Sequence, residues 1–231
     1  DQSYVELIDQ LLASPRFGER QAQHWLDLAR FAETDGFEHD KVRPTAWKYR
    51  DWVISAFNAN LPYDEFVIQQ LAADEMSSDN DRTPTMFCLA GPDMPDINSQ
   101  LERRHSLLNE LTSTVGAVFM GLQVGCAQCH DHKFDPISQA DFYRMRALFQ
   151  PAVHVTKNKS VSALKELAEP KPAFLMTRGD FDKPDLELAP GFLRVVSTGT
   201  VPAIGKTSSG TSGRRLALAH WLVSRKHPLT A

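Results

Sequence analysis

Cysteine is scarce in this chain: Cys88, Cys126 and Cys129 are its only three in 231 residues. That is too few for a disulfide scaffold, and a chain this long can bury an apolar core without one. Long apolar runs are missing too. The most apolar window, VGAVFMGLQVG at 115–125, is studded with glycine and falls well short of the roughly 18 residues a membrane span requires. Positive charge is not in excess. With 25 Lys and Arg against 29 Asp and Glu, the net charge is -4 and the pI near 6.1, which excludes the basic footprint of a nucleic-acid partner. Internal repeats are absent, and no clear nucleophile–base constellation stands out. The chain opens directly on DQSYVELIDQLLASP, an amphipathic helix pattern with Val5, Ile8, Leu11 and Leu12. It is expected to be a fragment or processed product, so its start says nothing about compartment.

What is present reads as mainly α. The opening helix stops before Pro15, and a second is expected through GERQAQHWLDLARFAE, with Ala22, Trp25, Leu26, Ala29 and Ala32 on its apolar face. TDGFEHDKVRP at 34–44 reads as a polar loop. A third helix follows Pro44 and ends at Asn60, and Pro62 opens a fourth in its first turn. Residues 77–98 are turn-rich and are expected to cross the surface as a long loop. A long helix then covers Ser99–Met120 and runs into Gly121. Ser138 and Asp141 have the spacing of a capping box for the next helix. Trp25, Trp47 and Trp52 are expected in the core. From Pro151 the prolines become frequent and apolar runs shorten, so a boundary is placed near 150. The expected architecture is an irregular helical domain over 1–150 and a Pro/Gly-rich, partly extended tail over 151–231. Within that tail STGTVPAIGKTSSGTSG reads as flexible and GRRLALAHWLVS as a helix.

The chemistry concentrates in VGCAQCHDHKFDPISQ, 124–139. Cys126-x-x-Cys129-His130 suits covalent haem attachment: two thiols bond the haem edge and the next imidazole takes the iron. Two other readings stand beside it. A thioredoxin-like redox pair would need a strand–helix setting, whereas these flanks look helical and glycine-hinged. Structural zinc would draw on Cys126, Cys129 and two of His130, His132 and His154, at no recognised zinc-finger spacing.

LLASPRFGERQAQHWLDLARFAETDGFEHD, RPTAWKYRDWVISAFNANLPYDEFVIQQLAAD and GLQVGCAQCHDHKFDPISQADFYRMRALF together resemble the planctomycete-type cytochrome-like domain, over about residues 1–150. TRGDFDKPDLELAPGF and SGRRLALAHWLVSRKHPLTA resemble the start of its usual companion domain. The resemblance implies a secreted multidomain parent, an extracytoplasmic location, an N-terminally truncated first domain and no established reaction. The expected cofactor is one haem c, with zinc the alternative, and His130 is the expected proximal ligand. His24 is a candidate second iron ligand or distal acid–base group, and Arg30 and Lys133 are candidate partners for the haem propionates. His132 is expected to bond a propionate or its own loop. Asp131 and Asp135 with the acidic string at 27–40 offer oxygen ligands for a cation, although such a run is more often a solvated face. The expected function is electron transfer to a redox partner or companion domain. A haem enzyme with an open distal site, and a binding module stapled by metal or disulfide, are the alternatives.

Overall fold

A computed structural model describes residues 2–76, 81–159, 164, 166, 170–197, 201–207 and 209–230. The fold is mainly α. Helix α1 (Gln2–Ala13) forms as the pattern predicts, yet none of its residues is buried, so its apolar stripe faces outward. Ser14 caps α2 (Pro15–Leu28), with Pro15 in the first turn. This helix ends earlier than its apolar spacing suggests. Arg30 takes a left-handed φ of 58°, and Phe31 N–H reaches back to Leu26 C=O at 2.9 Å. Asn60 closes α3 (Ala46–Asn58) in the same way: its φ is 50°, and Leu61 N–H donates to Ala56 C=O at 3.0 Å.

The first core layer is aromatic. Trp25 meets Phe66 edge-on at 4.8 Å, and Trp52 stacks on Phe66 at 5.3 Å. The Trp25 indole N–H donates to Gln70 Oε1 at 2.8 Å, which satisfies two polar groups at the core. Trp47 departs from expectation, because it lies on the solvent side of α3.

Helix α4 (Tyr63–Met76) breaks at Ala72 (φ -150°), and its last turn then buries Ala73, Asp74 and Glu75. The segment expected as a surface loop instead enters the core. Residues 77–80 lie outside the described residues, but Thr83–Leu89 forms a 3₁₀ segment that buries Phe87 and Cys88. Phe87 packs on Phe119 at 5.2 Å, and the Cys88 thiol donates to Gln70 C=O at 3.6 Å. The short apolar run TMFCLA outweighs the turn residues around it.

Ser99 caps α5 (Gln100–Met120), and Gly121, at φ 67°, ends it. The capping box Ser138–Asp141 forms and starts α6 (Gln139–Arg146). After 150 come a two-stranded antiparallel sheet and a last helix. Strand β1 (Ala173–Met176) pairs with β2 (Pro184–Leu188) in the register Ala173↔Leu188, and α7 (Arg214–Leu222) packs on α4. Leu188, Phe192, Leu193, Leu218 and Trp221 join the same core as the helices before 150. The tail sequence expected to be flexible is tied down where it is described, with Ser209 Oγ donating to Glu75 C=O at 3.1 Å.

Candidate functional site

The cysteine turn hangs from the end of α5. Leu122 N–H returns to Gly116 C=O at 3.0 Å, and Val124 folds back so closely that a Cβ at Gly116 would lie 2.5 Å from its Cγ2. This contact requires glycine at 116. Val124–Gln128 then forms a 3₁₀ turn with Val124 and Ala127 inward. Cys126, Cys129 and His130 consequently face solvent, and both thiols are free.

The loop behind them is closed by its own hydrogen bonds. His130 Nδ1 donates to Asp131 C=O at 2.7 Å, which leaves Nε2 as the open nitrogen. His132 is a loop organiser, as one of its expected roles had it: Nδ1 accepts the Asp135 N–H at 2.9 Å and the Phe134 N–H at 3.3 Å. Asp131 accepts the Gln139 N–H at 2.8 Å, at the start of α6. Lys133 is exposed and lies 5.2 Å over the Phe134 ring, which is itself 84% exposed.

Beneath the turn lies a polar layer that sequence reading missed. Gln128 C=O accepts from Gln139 Nε2 and from the Tyr143 hydroxyl, each at 3.0 Å. Gln139 Nε2 also donates to Met176 C=O at 2.9 Å, tying β1 to the turn. Gln128 Oε1 accepts from Asn109 Nδ2 at 3.1 Å, and that amide meets His105 Nε2 at 2.8 Å. Arg146 Nη2 donates to His105 Nδ1 at 3.2 Å. Arginine and the Asn109 amide nitrogen can only donate, so each ring nitrogen faces an N–H, which disfavours the doubly protonated imidazolium. Burial, with help from Arg146, depresses the His105 pKa to about 4, so this imidazole is neutral. Burial likewise lowers Arg146 to about 10 and raises Tyr143 to about 12. The visible signal for this layer is the pair His105 and Asn109, four apart on α5 beside Leu108 and Leu111. Gly179, at φ 75°, closes the other side: a Cβ there would lie 2.8 Å from Cys129 Sγ.

Other predicted site residues stand apart from the turn. His24 lies exposed on α2. Arg30 is ion-paired to Glu110 of α5, and burial lowers its pKa to about 10. Neither makes a hydrogen bond or ion pair with the cysteine turn. The acidic string is also engaged locally, with Asp35 to Arg43 at 2.7 Å, Glu33 to Arg50 at 2.7 Å and His39 to Asp96 at 2.9 Å. His154 Nε2 donates to Pro151 C=O at 2.8 Å. Among the described residues, no group of three or more His, Cys, Asp or Glu is gathered to hold a metal ion.

Across residues 1–154 the chain matches the family model described as PSCyt2, protein of unknown function (DUF1549). The chain belongs to this family. DUF1549 carries no assigned reaction in that description, so the chemistry rests on the residues themselves. No curated protein and no solved structure matches the chain. The DUF1549 match ends close to where α6 gives way to the tail, although the tail packs on the same core. Among the described residues, no helix is long and apolar enough to cross a membrane.

Cys126, Cys129 and His130 are the residues that would hold a covalently attached haem. Zinc needs its ligands to converge at about 2.0–2.3 Å from one centre, and no such group is gathered among the described residues. Thioether attachment would use two free thiols with an adjacent imidazole; here both thiols are free and exposed, and His130 Nδ1 is held by Asp131 C=O. Cavities of about 310, 350 and 320 Å³ lie at Asp35–Asn98, under Tyr49 and Met86, and around Trp25 and Phe57, and none of these three is lined by the cysteine turn.

Proposed function

We propose that the chain carries one haem c bonded through Cys126 and Cys129, with His130 Nε2 toward the iron, and that it transfers electrons. The observation that carries this reading is the hydrogen bond from His130 Nδ1 to Asp131 C=O, made on a turn that exposes both thiols. A carbonyl at Nδ1 fixes the tautomer and strengthens Nε2 as a donor. The haem, when bound, supplies a one-electron couple whose potential the protein sets by axial ligation and burial. The chain's own part is to present both thiols, anchor the turn through Gln128 and Tyr143, and keep His130 oriented. Lys133 is exposed on the same loop and free to pair with a propionate. Export to an oxidising compartment with attachment machinery belongs to this reading, as does a redox partner in the parent chain or a separate protein. The peroxide-type alternative relied on His24 and Arg30 over the iron; among the described residues neither makes a hydrogen bond or ion pair with the turn, and Arg30 is paired with Glu110 instead.

The test is to mature the protein in a haem-attaching periplasm and record its intact mass and reduced visible spectrum. A covalent gain of one haem, lost in Cys126→Ala/Cys129→Ala, is the expected result. No gain alongside a positive-control cytochrome overturns the reading.

A further inference from the structure

Away from the cysteine turn, α4 and α7 bury one guanidinium among three carboxyl groups. Arg215 of α7 is fully buried. Its Nη1 donates to Asp74 Oδ1 at 2.8 Å and to Leu71 C=O at 3.0 Å. Its Nη2 donates to Asp74 Oδ2 at 2.7 Å and to Glu166 Oε2 at 3.3 Å. The four terminal N–H groups are thereby used. Glu166 Oε1 also accepts the Ser212 hydroxyl.

Glu75, next to Asp74 and fully buried, is left with little. Its Oε2 accepts the Leu216 N–H at 2.8 Å, in the first turn of α7. Its Oε1 lies 3.3 Å from Arg215 Nη2, but accepts no hydrogen bond among the described residues. Among the described residues, no other buried cation faces it. Arg214 of α7 is half-buried and donates to Ala147 C=O, the Cys88 thiol comes from the 3₁₀ segment, and His220 and Lys206 are exposed around the adjoining cavity. Three buried carboxylates on one guanidinium would leave two charges uncompensated, a cost far beyond that of one carboxyl keeping its proton. Among the described residues Arg215 Nε–H is buried without an acceptor, while its terminal N–H groups go to Asp74, Glu166 and Leu71 C=O, so Glu75 Oε1 is the carboxyl oxygen of the three that accepts no hydrogen bond.

We propose that Glu75 is held as the neutral acid and forms a pH-sensitive latch, whose ionisation releases α7 from α4. Burial, opposed by Arg215 and the Leu216 N–H, keeps the Glu75 carboxyl above its ordinary range, as the geometry requires. The sign follows. With the folded value raised, the stabilisation is complete below the unfolded value and is lost as pH rises through the folded one. What opens is the α4–α7 contact, together with the 202–207 strand of chain across it. This device is independent of haem.

The test is hydrogen exchange of the full chain from about pH 5 to about pH 9, corrected for intrinsic rates, reading α7 against α5. Protection in α7 should fall by up to about tenfold per pH unit between the open-state and folded values of Glu75 and level off above the folded one, while α5 stays constant. Glu75→Gln, which keeps the acceptor and removes the ionisation, should flatten that profile. Flat wild-type protection, or a Glu75→Gln slope equal to wild type, overturns the proposal. Should the variant fail to fold, infrared spectra of wild type labelled at glutamate carboxyls decide. A protonated carboxyl at neutral pH that disappears as α7 opens supports the latch, and its absence overturns it.

Discussion

Gly179→Ala should couple to Cys129 across the gap between the hairpin and the cysteine turn. Two costs arise at this position. Gly179 has φ 75°, and a left-handed residue with a Cβ costs roughly 1–2 kcal/mol. The new Cβ would also lie 2.8 Å from Cys129 Sγ and 3.2 Å from Gln128 C=O. Gln128 C=O cannot move aside easily, because Gln139 and Tyr143 both donate to it. The sulfur therefore turns away, at about 0.5–1.5 kcal/mol for leaving its rotamer well. The sum is about 2–3 kcal/mol, or a fall in Tm of roughly 4–12 °C for a chain of this size. In a Cys129→Ala background the sulfur part vanishes, so the same substitution should cost only about 1–2 kcal/mol. Equilibrium urea unfolding of the four haem-free proteins under reducing conditions measures the cycle. Labelling by a small thiol reagent should change at Cys129 and not at Cys126. Equal costs of Gly179→Ala with and without Cys129, or a total cost below about 0.5 kcal/mol, would refute the contact and the left-handed requirement together.

Three further perturbations probe the frame. Arg103 is buried, pairs with both Asp93 oxygens at 2.7 and 2.6 Å, and donates to Thr156 and Lys159 C=O. Arg103→Met should cost about 3–5 kcal/mol in urea unfolding, because it removes the bidentate cation from a buried carboxylate. His105 should titrate near its depressed value of about 4 when followed by NMR. The unfolded state takes up its proton at higher pH than the native one, so stability falls between about pH 6.5 and 4, by about 3 kcal/mol in total. His105→Gln should remove that part of the acid limb. At Asp141, burial works against ionisation, but bonds from Arg194 and Ser138 outweigh it and hold the carboxyl below its ordinary range. Its contribution is therefore present above the unfolded value and lost as pH falls through the folded one. Asp141→Ala, measured by thermal unfolding at pH 7, should cost about 1 kcal/mol through the lost capping box.

Local chemistry was legible wherever a few neighbouring residues decide the outcome. Ser99 and Ser138 marked helix starts and Gly121 marked an end, since capping is a contest among backbone groups within one turn. The Cys-x-x-Cys-His motif was legible for the same reason. The sequence order alone also implied that both thiols and the imidazole share one turn.

The rest depended on partners distant in sequence. Helix α2 stops at Leu28 and not at Glu33 because Arg30 turns left-handed and reaches Glu110, 80 positions away. Thr83–Leu89 enters the core because Phe87 finds Trp25 and Phe119. The apolar face of α1 was correctly predicted as a pattern, but no pattern says whether a neighbour arrives to cover it. The same holds at the candidate site. By itself the sequence determined which atoms are able to react: two thiols and one imidazole on a helix-flanked turn. Only the tertiary structure decided how they are held, because Asn109, Gln139, Tyr143 and Gly179 act on the turn through contacts that no local spacing encodes. The same is true of Glu75 and Arg215, 140 residues apart, whose charge balance exists only once α7 has packed on α4.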